Sequence, residues 1–350
     1  FDCGDIEKVD PDLVTGIEID NTLNSYIKEN SMFWSHLNSY PRNSNLLIEE
    51  PSLNFIIHQI AMQALTICNA KHYRPFWLFN NSISLDLLKS YDSEASYIEP
   101  EEIVLFCFIL KLKALIYYIK LLFYKDIINF KYDNVKYGDI IYDTYLQKFQ
   151  VGTVKYFGFG FYKLIYSCIK RHEIIKSTIL NNKISAVLSS HQIGISGGVL
   201  VRAALRYNCE VYTSAGLHRC TLLRINNLID VPCYEYAPTK KEISDILSLD
   251  NEYFEKLYNK AVDIHFKGYA SMDTKRAFSI DKKIFDDKTV FCNEFKLDPT
   301  KKNIFIMLHA FTDHPHSHFH WMIFKDYADW FLETLNYAIT DSTVNWIFKQ

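Results

Sequence analysis

The 350-residue chain contains no Cys-x-x-Cys pair. Its eight cysteines (positions 3, 68, 107, 168, 209, 220, 233 and 292) are scattered, most of them in apolar surroundings. That spacing indicates neither a zinc knuckle nor a disulfide framework, and it suits buried reduced thiols in a cytoplasmic compartment. Charge of one sign is lacking too: 38 Lys and Arg stand against 41 Asp and Glu. A nucleic-acid binder would be basic overall or carry a basic stripe, so no nucleic-acid partner is expected. There is no HExxH motif and no internal repeat.

Also missing is a charge-free apolar run of about 20 residues, the length a spanning helix needs. The strongest apolar stretch, IVLFCFILKLKALIYYIKLLFY at 103–124, carries Lys111, Lys113 and Lys120 in its body. At about 100° per residue those lysines fall on opposite sides of a helix. The expectation is a core or interdomain helix whose lysines snorkel. The alternative is a helix that touches the membrane surface.

What the chain does have is apolar content of 49%, ample for real cores, and length for one large or two medium domains. From about residue 45 strands and helices alternate. Strands are expected at 45–49, 73–79, 184–190, 209–213 and 302–308, and helices at 52–69, 85–90, 154–180, 197–206, 240–264 and 324–335. Such alternation implies parallel βαβ units. The polar, poorly periodic stretch from Gly268 to Thr300 marks a domain boundary. The resulting plan is an N-terminal extension (1–44), a first α/β domain (45–265), a linker (266–300) and the start of a second domain (301–350). The chain opens on Phe1 and closes on the strand-like VNWIFKQ, so the protein is expected to continue past Gln350.

Four places carry candidate chemistry. Five histidines fall within 309–320, HAFTDHPHSHFH, after a strand and before a helix. Open α/β sheets bind ligands at the carboxyl ends of their strands. The segment reads as a polar substrate site, with a metal site or a solvated loop as alternatives. His314, His316, His318 and His320 alternate as metal ligands might, but their spacing matches no zinc motif. Pro315 also restricts His314, so no bound metal is expected.

The second place is SSHQIGISGG, where His191, Gln192, Gly197 and Gly198 join a strand end to a helix N-terminus. Glycines admit a close ligand, and free N–H groups suit an anion; the alternative is glycine needed for packing alone. In the third, Arg219 follows a strand and suits a phosphate or sugar carboxylate, or else is a solvated loop arginine. In the fourth, GDIIYDTYL, Asp139 and Asp143 share a helix face. One could serve as a general base, or they are a capping and a surface aspartate.

KKNIFIMLHAFTDHPHSH, FKDYADWFLETL and VNWIFKQ together resemble the C-terminal half of bacterial capsule and surface-polysaccharide glycosyltransferases of the GT-B type. GDIIYDTYL and the SSHQIG…GG…R stretch resemble their N-terminal half. The resemblance spans about residues 45–350; the first 40 residues match nothing in the family pattern, and its nucleotide-clasping second half would lie beyond Gln350. It implies an α/β, GT-B-like fold: two Rossmann-like domains facing across a cleft, the C-terminal one incomplete here. It implies a nucleotide-sugar donor in the C-terminal domain, a glycan or lipid-linked glycan acceptor in the N-terminal one, and no cofactor or essential metal.

Carried over by position, His309, Thr312, Asp313, His314 and His316 would line the donor side, with Gln192, Gly197, Gly198 and Arg219 as further substrate contacts. Asp139, Asp143 and His191 would be the catalytic candidates facing them. The chemistry is consistent: helix N-termini and cationic side chains can stabilise a leaving nucleotide, and a carboxylate or histidine can take the acceptor proton. The expected setting is the cytoplasm, with peripheral contact at the inner membrane face as an option. Competing readings are a metal-dependent hydrolase using 309–320 and a non-catalytic GT-B-like component of a polysaccharide assembly complex.

Overall fold

The computed structural model describes residues 16–35, 43–49, 54–78, 85–93, 95–98, 107–190, 192–215, 221–227, 240–248, 250–266, 285, 287–317 and 322–349. The chain divides into two compact units. The first comprises Phe1–Glu235 and Phe311–Tyr327, the second Tyr236–Ala310 and Ala328–Gln350.

In chain order the first unit contains α1 (Gly16–Trp34), β1 (Ser44–Ile48), α2 (Asn54–Lys71), β2 (Tyr73–Leu78), α3 (Leu85–Tyr91), β3 (Ser96–Ile98) and α4 (Cys107–Tyr124). A hairpin of β4 (Lys131–Tyr132) and β5 (Val135–Lys136) follows, then α5 (Gly138–Phe149), α6 (Phe159–Asn181) and β6 (Ile184–Ser189). A π-helical turn (Gly194–Gly198) leads into α7 (Val199–Arg206), β7 (Glu210–Ala215) and β8 (Thr221–Ile225).

Six strands form one sheet in the order β3-β2-β1-β6-β7-β8. All neighbours are parallel except the edge pair β7–β8. The mixed α/β class expected from the alternation is therefore present. The central strands are covered on both faces, as parallel sheets require. Leu46, Ile48, Trp77, Ala186 and Leu188 pack on the side of α2 and α3. Leu47, Leu78, Val187 and Val211 pack on the side of α5, α6 and α7. Burying each such side chain contributes about 1.5–3 kcal/mol. The chain steps outward from β1 to β2 and β3, then returns to β1's other side with β6. The order thus reverses between β1 and β6, and that junction positions the candidate site.

Local chemistry explains the finer elements. Asp133 and Asn134 both take positive φ, 49° and 63°. Two left-handed residues make the tight turn whose twist matches that of the flanking strands. Gly138 opens α5 where no side chain fits: an added Cβ would stand 1.8 Å from the Ile127 carbonyl oxygen.

The second unit holds α8 (Lys240–Leu247), α9 (Asn251–Phe266), α10 (Lys288–Glu294), β9 (Asn303–Met307), α11 (Tyr327–Thr340) and β10 (Asn345–Lys349). β9 and β10 are parallel neighbours joined through α11, a βαβ unit.

Several expectations need correction. The single helix expected over 240–264 is two, because Asp250 caps a new one by accepting the N–H groups of Glu252 and Tyr253 at 2.9 and 3.3 Å. The helix expected from Val154 starts at Phe159, after Gly158 in extended conformation. Residues 287–300 are not linker but packed structure: Cys292 is fully buried, and Asn345 donates to the Asp298 carbonyl at 2.7 Å. Within the supposed extension, α1 docks on α3, with Asn30 donating to Ser90 at 2.8 Å and Tyr26 meeting Tyr91 at 3.0 Å. Of the stretch 103–124, the described helix α4 is not a core helix. Only Ala114 and Leu121 of α4 are buried, and its other side is apolar and exposed. Finally, the units do not divide at 265 and 300. Phe311–Tyr327 belongs to the first unit, for reasons that lie in the site.

Candidate functional site

At the reversal point three adjacent strands carry polar residues on one sheet face toward their carboxyl ends. Side chains alternate along a strand, so Glu49 follows Leu47, Ser189 follows Val187 and Thr213 follows Val211. Ser189 and Thr213 are register partners. Glu49 is 3% exposed. One of its carboxylate oxygens accepts three hydrogen bonds: from the Ser189 hydroxyl at 2.7 Å, the Ser190 N–H at 2.8 Å and the Ser190 hydroxyl at 2.9 Å. Burial pushes the Glu49 carboxyl above its ordinary range; the Ser189 bond, the Arg171 charge and the two Ser190 bonds oppose the rise without cancelling it. The Gln192 side-chain oxygen and the Thr213 hydroxyl are buried without a hydrogen-bond partner among the described residues. A buried polar atom left unpaired costs about 1–3 kcal/mol.

The turn that follows β6 is π-helical, a geometry frequent at functional sites. Gly194 alone among its glycines is left-handed, with φ 69°. Gly197 and Gly198 are buried. At Gly198 a Cβ would meet Ile140 Cδ1 at 2.7 Å and the Gln192 carbonyl oxygen at 2.9 Å. Packing on α5 therefore accounts for Gly198 without a ligand.

Asp139 and Asp143 both point inward from α5, as their spacing implied, but to different ends. Arg202 grips Asp139 through two bonds of 2.7 and 2.6 Å and donates to the Lys136 carbonyl at 2.8 Å. Burial pushes the Asp139 carboxyl up, but the Arg202 charge and its hydrogen bonds outweigh that and hold it below its usual value. This carboxylate is neither capping nor at the surface. It neutralises a buried arginine.

Asp143, wholly buried, accepts the backbone N–H groups of His316 at 3.0 Å and Ser317 at 2.5 Å. Burial raises its carboxyl to about 7, against the pull of those bonds. Around it Tyr142 donates to Asp326 at 2.6 Å, and Lys325 to the Val154 carbonyl at 2.7 Å. The His316 ring stands edge-on to Tyr142 and bonds the Lys325 carbonyl at 2.7 Å. A carbonyl only accepts, so Nε2 carries the hydrogen. Burial lowers the His316 pKa, which keeps that ring neutral near pH 7. These bonds fasten Phe311–Tyr327 to the first unit, whereas the sequence placed the whole histidine segment in the second domain.

The other expected residues scatter. His309 belongs to the second unit and is exposed. Thr312 is half-buried and Asp313 exposed. His314 is buried, left-handed at φ 48°, and 3.5 Å from the Ser317 hydroxyl. His191, Arg219, His318 and His320 lie outside the described residues. Among those described, no group of three His, Cys, Asp or Glu side chains could hold a metal ion.

A pocket of about 320 Å³ opens beside Tyr142, Val154 and His316, with Lys125, Lys155 and Lys325 among its lining residues. Asp126 lines it as well, and the Lys325 amine is already bonded to the Val154 carbonyl. Sequence reasoning missed this pocket, and it missed Glu49, which it read only as the end of a strand. It also missed a buried network in which Tyr137 bonds His172 Nδ1 at 2.7 Å and His172 Nε2 lies 3.3 Å from Asp133. Asp133 also accepts from Tyr207. Comparison with protein-family models, curated proteins and solved structures gave no significant match.

Proposed function

We propose that the chain is a glycosyltransferase of the GT-B type that moves a sugar from a nucleotide-activated donor to a glycan or lipid-linked glycan acceptor. One observation carries the reading: the polar row Glu49, Ser189 and Thr213 at the order reversal of a doubly wound sheet, where such sheets take their ligands. The resemblance of the histidine segment and of the α5 and β6–α7 stretches supports it.

The base is reassigned. Asp139 is paired with Arg202, and Asp143 holds loop amides. Glu49 is the carboxylate at the strand ends, and its burial raises its proton affinity. In this reading the acceptor hydroxyl gives its proton to the half-buried Ser190 hydroxyl, which passes its own to Glu49, as the acceptor oxygen attacks the anomeric carbon. The bond to the donor phosphate breaks, and the nucleotide leaves with the electron pair.

The test is a thermal-shift and turnover screen of the protein against UDP-, GDP-, CMP- and CDP-linked sugars. A nucleotide-specific shift with donor turnover is expected. Glu49→Gln should keep the shift and lose about 10²–10⁴-fold in rate. No shift and no turnover with any donor would sink the reading, and so would stoichiometric zinc with activity lost on chelation.

A further inference from the structure

The outward side of α4 is a feature that the proposed chemistry leaves unused. The helix packs inward through Ala114 and Leu121. On the opposite side Phe108, Leu112, Leu115, Ile116, Ile119 and Phe123 are exposed, the two phenylalanines at 79% each. At 3.6 residues per turn these six occupy one outward arc of roughly 100°. Soluble surfaces scatter such side chains singly, and a contiguous stripe of them marks an interaction site.

The lysines that looked misplaced in the sequence now have positions. Lys111 borders one edge of the arc, and Lys113 and Lys120 border the other. Each amine lies near a tyrosine ring: Lys111 over Tyr166, Lys113 over Tyr132 and Lys120 over Tyr117, at 6.0, 5.9 and 5.7 Å from the ring centres. The helix sequence contains no Asp or Glu. Beyond it, Asp126 is bonded to Asn129. The aromatic border continues into α6, where exposed Phe159 stacks on Tyr162 and meets Tyr118 of α4, with Lys163 above its ring.

We infer that α4 is a membrane-docking helix that lies flat in the interface of an anionic bilayer, apolar arc down and lysines at headgroup level. Charge complementarity selects this occupant. An apolar stripe flanked by amines on both edges, with tyrosines beside them and no carboxylate of its own, matches acyl chains beneath anionic phosphates. No helix among the described residues is long and apolar enough to cross a membrane, so α4 lies on the bilayer rather than through it. The inference does not depend on the glycosyltransferase reading.

The test is co-sedimentation of the chain with vesicles of phosphatidylcholine alone or with about one-third phosphatidylglycerol. Binding to the anionic vesicles is expected, weakening as salt screens the lysines. Phe108→Asp with Phe123→Asp should reduce it at least ~10-fold, with an unchanged circular dichroism spectrum. Should that pair misfold, Lys111→Gln, Lys113→Gln and Lys120→Gln together test the same surface and should cut anionic binding by a similar factor. Equal binding to both vesicle types, or binding to neither, overturns the inference. So does a stable dimer in light scattering that Phe123→Asp dissociates, since the stripe would then join two copies.

Discussion

Ser317 donates its backbone N–H to the carboxylate of Asp143 at 2.5 Å across 174 residues of sequence. With the neighbouring His316 N–H, this bond fixes a loop that follows the whole second-unit segment 236–310 to a helix laid down far earlier. The acceptor is a carboxyl whose burial holds its proton up to about pH 7.

That value sets a pH dependence. An unfolded aspartate releases its proton near pH 4. Between about 4 and 7 the folded state therefore binds more protons, and this group's contribution to stability falls as pH rises. Asp143→Asn should remove a component of up to about 1.4 kcal/mol per pH unit in that window. Urea melts at pH 5, 6 and 7 measure it. An unchanged slope would show that Asp143 titrates normally.

The Asp139–Arg202 pair should show a strong asymmetry. Asp139→Asn strands a buried guanidinium and is expected to cost about 3–5 kcal/mol. Asp139→Leu combined with Arg202→Met removes both charges and should recover much of that loss. Chemical denaturation of the two variants makes the comparison.

Gly138→Ala should destabilise by at least about 1–3 kcal/mol, the cost of overpacking, because the new methyl meets backbone rather than a movable side chain. Gly194→Ala has open space around its Cβ and only its left-handed φ to oppose it, so the smaller loss is expected there. A larger loss at Gly194 would contradict this.

His172 titrates the other way. Burial holds its pKa below the ordinary 6.5 even though Asp133 pulls it up. Its contribution is present above about pH 6.5 and is lost as pH falls through the depressed value. Histidine NMR should show the His172 ring, like that of His316, staying neutral with its hydrogen on Nε2 at a pH where exposed imidazoles are half protonated, and the His172 signal is the one lost in His172→Gln.

Much of the sheet was legible in the sequence. β1, β2, β6 and β7 are short apolar runs next to helices of clear period, and α/β alternation followed from them. β3 is three residues long and β8 is an antiparallel edge strand, so neither offers enough pattern to read. The shared face of Asp139 and Asp143 was readable because it is local. Their partners, Arg202 and the 316–317 amides, were not, because only the tertiary fold brings them close. Glu49 shows the same limit: a glutamate ending a strand gains meaning only when β6 pairs with β1 and presents Ser189 and Ser190, 140 residues on. For α4 the helix was legible but not its apolar face. Lysines on opposite sides of a wheel look disordered until Ala114 and Leu121 show which side faces inward.

The split membership of the first unit bears on how the protein is made. Synthesis runs from the N-terminus, so every strand of the six-stranded sheet is translated before residues 311–327. Until they emerge, Asp143 has no amides to accept and Tyr142 no Asp326. The domain that begins first is therefore among the last to be finished, and a chain cut at Ala310 would carry an apparently whole sheet with an unsealed flank. Order of synthesis and order of completion are different orders in this protein.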